Sequence, residues 1–363
     1  MRIQASRQLQ ARVNDLQNER QEESRDALAN ITNSAAAAGT EDDKQTEKEV
    51  RFIESCGKKF VATRMLWLPE GLESDVFAAE TDPLYNDLDR FSTDEGDQPA
   101  NKIQGALKDV LETIPEGYYG SDDFDDWVLN SFITGMNSQH SATAHRLRSH
   151  PDLFDCTSRQ FSTPEGRSEF RELIGRREDD DGLSFYDTTN VPILHKNYNG
   201  EFDVDTFMLH PALFTHATIM KGPSTATAIK NSTSAPKCES VQELWRVRKT
   251  TPGMIAANAV WLRWVHSEDS QFTPLGNATG IDWRKEFEFY LNYLTNGLIK
   301  KKKCVERIFR IWDQKFYPNS DEGMARGADT LTRTEASQQA AMEALNAQAA
   351  VGEDDDDEVS NGA

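Results

Sequence analysis

The chain lacks the features by which enzymes and membrane proteins are usually recognised. No apolar run approaches the roughly twenty residues that a bilayer-crossing helix needs. Met1–Gln8 is polar and helix-forming, not a basic stretch followed by an apolar one, so secretion is not expected. The sequons at Asn30, Asn231 and Asn277 are accordingly expected to carry no glycan. Four cysteines, Cys56, Cys156, Cys238 and Cys304, are scattered with neither CxxC nor Cys/His ligand spacing. Buried or idle thiols in a reducing, intracellular compartment are the expectation.

Catalytic signatures are equally scarce. There is no HExxH, no Walker loop, no GxGxxG after a strand and no GxSxG elbow. His140, His145 and His150 lie five apart, which turns them about 140° from one another on a helix and keeps them off a shared face. His210 and His216 fail in the same way. Gly222-Pro-Ser224 contains the right residue types for a phosphate loop, but its pattern is that of a helix stop. No cofactor, metal centre or catalytic residue is therefore expected. The one candidate metal cluster is acidic: Asp122, Asp123, Asp125 and Asp126 follow Ser121. Their first reading is an acidic helix start favoured by the dipole, with Ser121 as cap; the alternative is a metal-dependent hydrolase built on Asp122–Asp126.

Basic residues are in deficit. Lys and Arg number 40 against 61 Asp and Glu, a net charge of −21, which disfavours nonspecific nucleic-acid binding over the whole surface. The deficit is uneven: residues 319–363 carry −9, residues 1–49 carry −3, and −9 is spread over the 269 between.

What is present is a helical pattern from about residue 50 to Pro318. Its centre is Thr251–His266, where Thr251 caps and Pro252 suits the first position. Met254, Ile255, Val260, Trp261, Leu262, Trp264 and Val265 surround that helix, interrupted by Asn258, Arg263 and His266. A helix apolar on nearly every side is buried on nearly every side, and its polar interruptions then need partners. Amphipathic spacing predicts further helices over Ile53–Leu68, Ile103–Ile114 and Phe124–Met136. Others are predicted behind Thr163, from Pro211 to a stop at Gly222-Pro223, and from Asp282 to Asn296-Gly297. Val191–Leu194 reads as a brief strand, and residues 176–205 and 224–240 as loops. The fold expected is all-α: an irregular multi-helix core with long loops over 50–318. It is flanked by a polar arm (1–49), expected to be partly helical or disordered, and by an Ala-rich then acidic tail (319–363) expected to be disordered.

One feature bears on function. The last core helix, read as about Ile299–Phe316, sets Val305, Ile308, Phe309, Trp312 and Phe316 on one side. Lys300, Lys303, Arg307 and Arg310 recur at i, i+3, i+7, i+10 on the other. Four consecutive lysines at a helix start oppose the dipole, so an anionic partner is worth considering. That partner is a protein acid, including this chain's own Glu353–Glu358, or alternatively the phosphates of nucleic acid. Lys300–Lys303 also resembles a short nuclear-import signal, which leaves the location cytoplasmic or nuclear.

Leu244-Trp245, Thr251-Pro-Gly-Met-Ile-Ala, Gly280-Ile-Asp-Trp-Arg-Lys-Glu-Phe-Glu-Phe-Tyr and Arg307-Ile-Phe-Arg-Ile-Trp312 resemble a family of uncharacterised proteins from basidiomycete fungi. His210-Pro-Ala-Leu-Phe with Gly222-Pro-Ser224 is similar to that family's middle section. The resemblance covers roughly residues 50–318 and implies an intracellular fungal protein with a domain of unknown function, without an activity, substrate or catalytic residue. The functional expectation is a non-enzymatic, helical protein-interaction module.

Overall fold

In a computed structural model of the 363-residue chain, the residues described are 41–91, 98–115, 118, 126–231, 233 and 240–318. Polar helix formers punctuated by Pro and Gly give twelve α-helices among them. The first half holds α1 (Glu41–Thr63), α2 (Glu73–Ala78), α3 (Gln98–Leu111), α4 (Asp126–Arg148), α5 (Ser158–Ser162) and α6 (Pro164–Arg167). A two-stranded hairpin follows, β1 (Arg176–Glu178) and β2 (Ser184–Tyr186), antiparallel with Arg177 opposite Phe185. Then come α7 (Thr215–Lys221), α8 (Pro223–Lys230), α9 (Val241–Leu244), α10 (Pro252–Val265), α11 (Trp283–Ile299) and α12 (Lys303–Phe316). The all-α expectation holds, and no helix among the described residues is long and apolar enough to cross a membrane.

Helix α10 is the post around which the others stand. Thr251 Oγ1 accepts from the Met254 amide at 3.2 Å and Pro252 occupies the first turn. Thr251 also donates to the Thr63 carbonyl, tying the cap to the end of α1. Met254, Ile255, Val260, Trp261, Leu262, Trp264 and Val265 are all buried. Elements α1, α4, α7 and α11 all pack on α10, so its apolar girdle is covered from several directions. Burial of each large side chain stabilises the fold by about 1.5–3 kcal/mol.

Two pairs of helices frame the post. Helices α1 and α4 run antiparallel in close contact, because Gly57 faces the Phe132 carbonyl while Gly135 faces that of Glu54. A Cβ at either glycine would collide with the opposite backbone. Helices α11 and α12 form the second pair, and Gly297 admits the Val305 side chain in the same way.

Several expected boundaries move. Helix α1 begins at Glu41, inside the stretch read as the polar arm, and ends at Thr63, short of Leu68. Val191–Leu194 is not a strand: Pro192–Leu194 is a single 3₁₀ turn. The only strands among the described residues lie instead in the 176–205 segment, where Asp179 closes the hairpin by accepting the amides of Asp181 and Leu183. Gly222 does end α7, but Pro223 starts α8 in what was read as loop, since proline is well suited to a first helical turn. Asn296-Gly297 does not end α11, whose packing on α12 continues the helix to Ile299.

Candidate functional site

The predicted cationic face is rearranged at its start. Lys300 is the C-cap of α11 and not a member of α12, and Lys301 turns the chain with φ +50°. The i, i+3 relation of Lys300 to Lys303 is therefore lost. Lys302 is the N-cap of α12 and offers it no side-chain hydrogen bond; Lys303 is its first residue. Lys303, Arg307 and Arg310 remain on one side of α12, at i, i+4, i+7, opposite buried Val305, Ile308, Phe309, Trp312 and Phe316. Lys300–Lys303 and Arg310 are exposed. Arg307 stands 3.2 Å from the Asp205 carboxylate, an exposed pair. Among the described residues, Lys300, Lys301, Lys302 and Lys303 form no ion pair. Elsewhere Arg64, Arg90, Lys102, Lys108, Arg171, Lys230 and Arg284 each meet a carboxylate.

Asp122–Asp125 and Glu353–Glu358 lie outside the described residues, as does the side chain of Asp126, so the hydrolase reading and the tail contact are not located. Among the described residues no group of three or more His, Cys, Asp or Glu side chains is placed to hold a metal ion. Four of the seven histidines, His140, His195, His216 and His266, are core residues instead. His140 packs against Trp67, Trp261 and Phe272, and burial lowers its pKa to about 4. His266 sits edge-on among Phe154, Phe161 and Phe170, lowered by burial to about 4. His216 bonds Tyr317 and Asn258 and is lowered by burial to about 3.

The polar interruptions of α10 find their partners. Asn258 accepts from Thr215 and donates to the Met254 carbonyl. Arg263, fully buried, bonds the Glu286 carboxylate and donates to Tyr290 Oη at 2.7 Å. It also donates to the Asp187 carbonyl at 2.9 Å and to that of Ile174 at 3.1 Å. Burial opposes its charge most strongly, yet Glu286 and Tyr290 outweigh it and hold its pKa above the ordinary value. Tyr290 passes the connection on by donating to the Thr188 carbonyl, and Thr188 Oγ1 donates to Glu286 at 3.0 Å. One guanidinium thus joins α10, α11 and the segment after the hairpin.

Sequence reasoning missed what lies above this hub. A cleft of about 790 Å³ opens between the hairpin, the first turns of α11 and the 276–282 loop, with Glu286 and Thr188 at its floor. Buried Asp269 shapes the loop by accepting the amides of Ala278 and Thr279, the Thr279 hydroxyl and the Trp283 indole. Gly276 lies so close to this carboxylate that a Cβ would strike it. The available signal for the hub was Arg263 itself: a cation on an apolar helix requires an acid on a neighbour, and Glu286 precedes Tyr290 by one turn. The cleft had no signal, because its walls come from segments up to about a hundred residues apart. The chain matches no known family, no curated protein and no solved structure, so the reading of these surfaces rests on their own residues.

Proposed function

We propose that this chain is a non-enzymatic, helical interaction protein that presents Lys300–Lys303, Arg307 and Arg310 to an acidic segment of a protein partner. The observation that supports this reading is the set of four exposed lysines that form no ion pair among the described residues, around an uncapped helix start. Amide groups at a helix N-terminus and adjacent cations both favour carboxylate. Here the two coincide at one helix start. The apolar side of α12 is anchored in the core, so the cationic side is held rigidly outward.

The second reading, phosphates of nucleic acid, uses the same cations. The net acidity of residues 50–318 opposes long-range attraction of a long polyanion and favours a short acidic segment recognised at contact. The chain's own Glu353–Glu358 is such a segment and would compete in cis. A cytoplasmic or nuclear location, and membership of the basidiomycete fungal family, belong to the same proposal.

The test is fluorescence anisotropy with a labelled Asp/Glu-rich peptide, a single-stranded RNA and a duplex DNA, each at two salt concentrations. The full chain is compared with one ending at Pro318 and with Lys303→Glu/Arg307→Glu. The reading expects peptide binding that falls with salt, tightens without the tail, and weakens by roughly tenfold or more on charge reversal. Preference for RNA or DNA transfers the site to the second reading, and no binding of any anion by either chain length refutes both.

A further inference from the structure

The cleft above the Arg263–Glu286 hub has a directional bias in its unused hydrogen-bonding capacity. Its acids are already engaged. Glu268 receives both arms of Arg171, at 2.6 and 2.7 Å. Glu286 is held from beneath by Arg263 and Thr188. Asp282 caps α11 by accepting the Lys285 amide at 3.0 Å. The donors are less committed. Lys285 has a side chain 82 % exposed and only a 3.2 Å approach to Asp282. Arg176 uses one N–H on Ser184 and stands 3.6 Å from exposed Glu178. The Tyr186 hydroxyl makes no hydrogen bond among the described residues, and burial together with Glu268 raises its pKa, so it stays a donor at neutral pH. Two phenylalanines complete the walls: Phe185 is 45 % and Phe289 39 % exposed, although both are large apolar rings.

Spare donors and cations beside two open aromatic faces match one chemical class. A carboxylate, sulfonate or phosphate would take up Lys285, Arg176 and Tyr186, while a flat apolar body would cover the rings. We infer that this cleft is a binding site for a small organic anion with a planar, largely apolar body. The site is independent of the cationic face on α12, whose residues do not line it. Its walls are preformed: Asp269 fixes the loop, and the guanidinium hub fixes the spacing of α10, α11 and the segment after the hairpin.

The probe is 8-anilinonaphthalene-1-sulfonate, a sulfonate on a planar naphthalene ring system, titrated by fluorescence into the full chain and then displaced by competitors. One site per chain is expected. Displacement by 2-naphthoate should be at least about tenfold more effective than by neutral 2-naphthol, because a charge-assisted hydrogen bond to a cation is lost. Inorganic phosphate should displace far less well than 2-naphthoate. Lys285→Ala, Arg176→Ala and Phe289→Ala should each weaken binding by roughly tenfold, whereas Lys249→Ala, a surface cation outside the cleft, should not. All are exposed or half-buried positions, and unchanged far-UV circular dichroism and Tm would show that each variant folds. Unaltered affinity in the three cleft variants overturns the assignment. So does equal displacement by 2-naphthol, which removes the anion requirement, or by phosphate, which removes the planar one.

Discussion

Replacing Glu286 with Ala leaves the Arg263 guanidinium buried with no countercharge. Arg263 is fully buried and Glu286 has a side chain 8 % exposed, so water cannot readily replace the missing carboxylate. Three neutral acceptors would remain, Tyr290 Oη and the carbonyls of Ile174 and Asp187, and they satisfy N–H groups without neutralising the charge. Removal of one partner from a buried ion pair typically costs about 3–5 kcal/mol. Against a total stability on the order of 5–15 kcal/mol, that is a large fraction. With about 2–4 °C of Tm per kcal/mol for a large domain, the expected fall is on the order of 10 °C. Urea unfolding followed by tryptophan fluorescence measures the loss directly, and several of the reporting indoles, Trp261, Trp264 and Trp283, lie in the same core. Glu286→Gln, which keeps the shape and one acceptor, should lose less than Glu286→Ala. The double variant Arg263→Met/Glu286→Leu should lose less than the sum of its single variants, because an apolar pair of similar volume removes both desolvation penalties. A loss below about 1 kcal/mol for Glu286→Ala at an unchanged m value, or strict additivity in the double variant, would refute the reasoning.

Two further outcomes follow from the core. Burial holds His140, His216 and His266 below the usual histidine range, to about 4, 3 and 4, so the folded state keeps them neutral where the unfolded chain protonates. Stability should therefore be fully present above about pH 6.5 and be lost as pH falls towards 4, by about 3 kcal/mol for each histidine at the lower end. In His140→Phe, whose ring would sit in the same aromatic surround, the urea-derived slope across that window should drop by about one proton, or about 1.4 kcal/mol per pH unit; an unchanged slope would show that His140 is not the buried neutral group. Gly135→Ala, which on a free helix surface would gain about 1 kcal/mol, should instead lose about 1–3 kcal/mol or more, because its Cβ meets the Glu54 carbonyl of α1. A rise in Tm would mean that α1 and α4 separate more easily than their contact implies.

Local order in the sequence decided what local physics controls. The girdle of α10, its Thr251 cap and its Pro252 start were legible because 3.6-residue periodicity and a cap act over one or two turns. The apolar stripe of α12, the Asp282 cap of α11 and the helical fold class were legible for the same reason. Asn258 and Arg263 were legible as needs: polar groups on a buried helix must find partners, although a single segment cannot say which. Tertiary structure supplied Glu286, Tyr290 and two carbonyls from residues 174 and 187 for Arg263. It also carried α11 past Asn296-Gly297 and moved Lys300 out of α12, since the tight approach of Gly297 to Val305 set the turn at Lys300–Lys302, beyond the local helix-breaking signal. The cleft depended wholly on tertiary structure. Residues 171–188 and 268–289 form its walls only because α10, Arg263 and Asp269 bring them together, and periodicity carries no information over such separations.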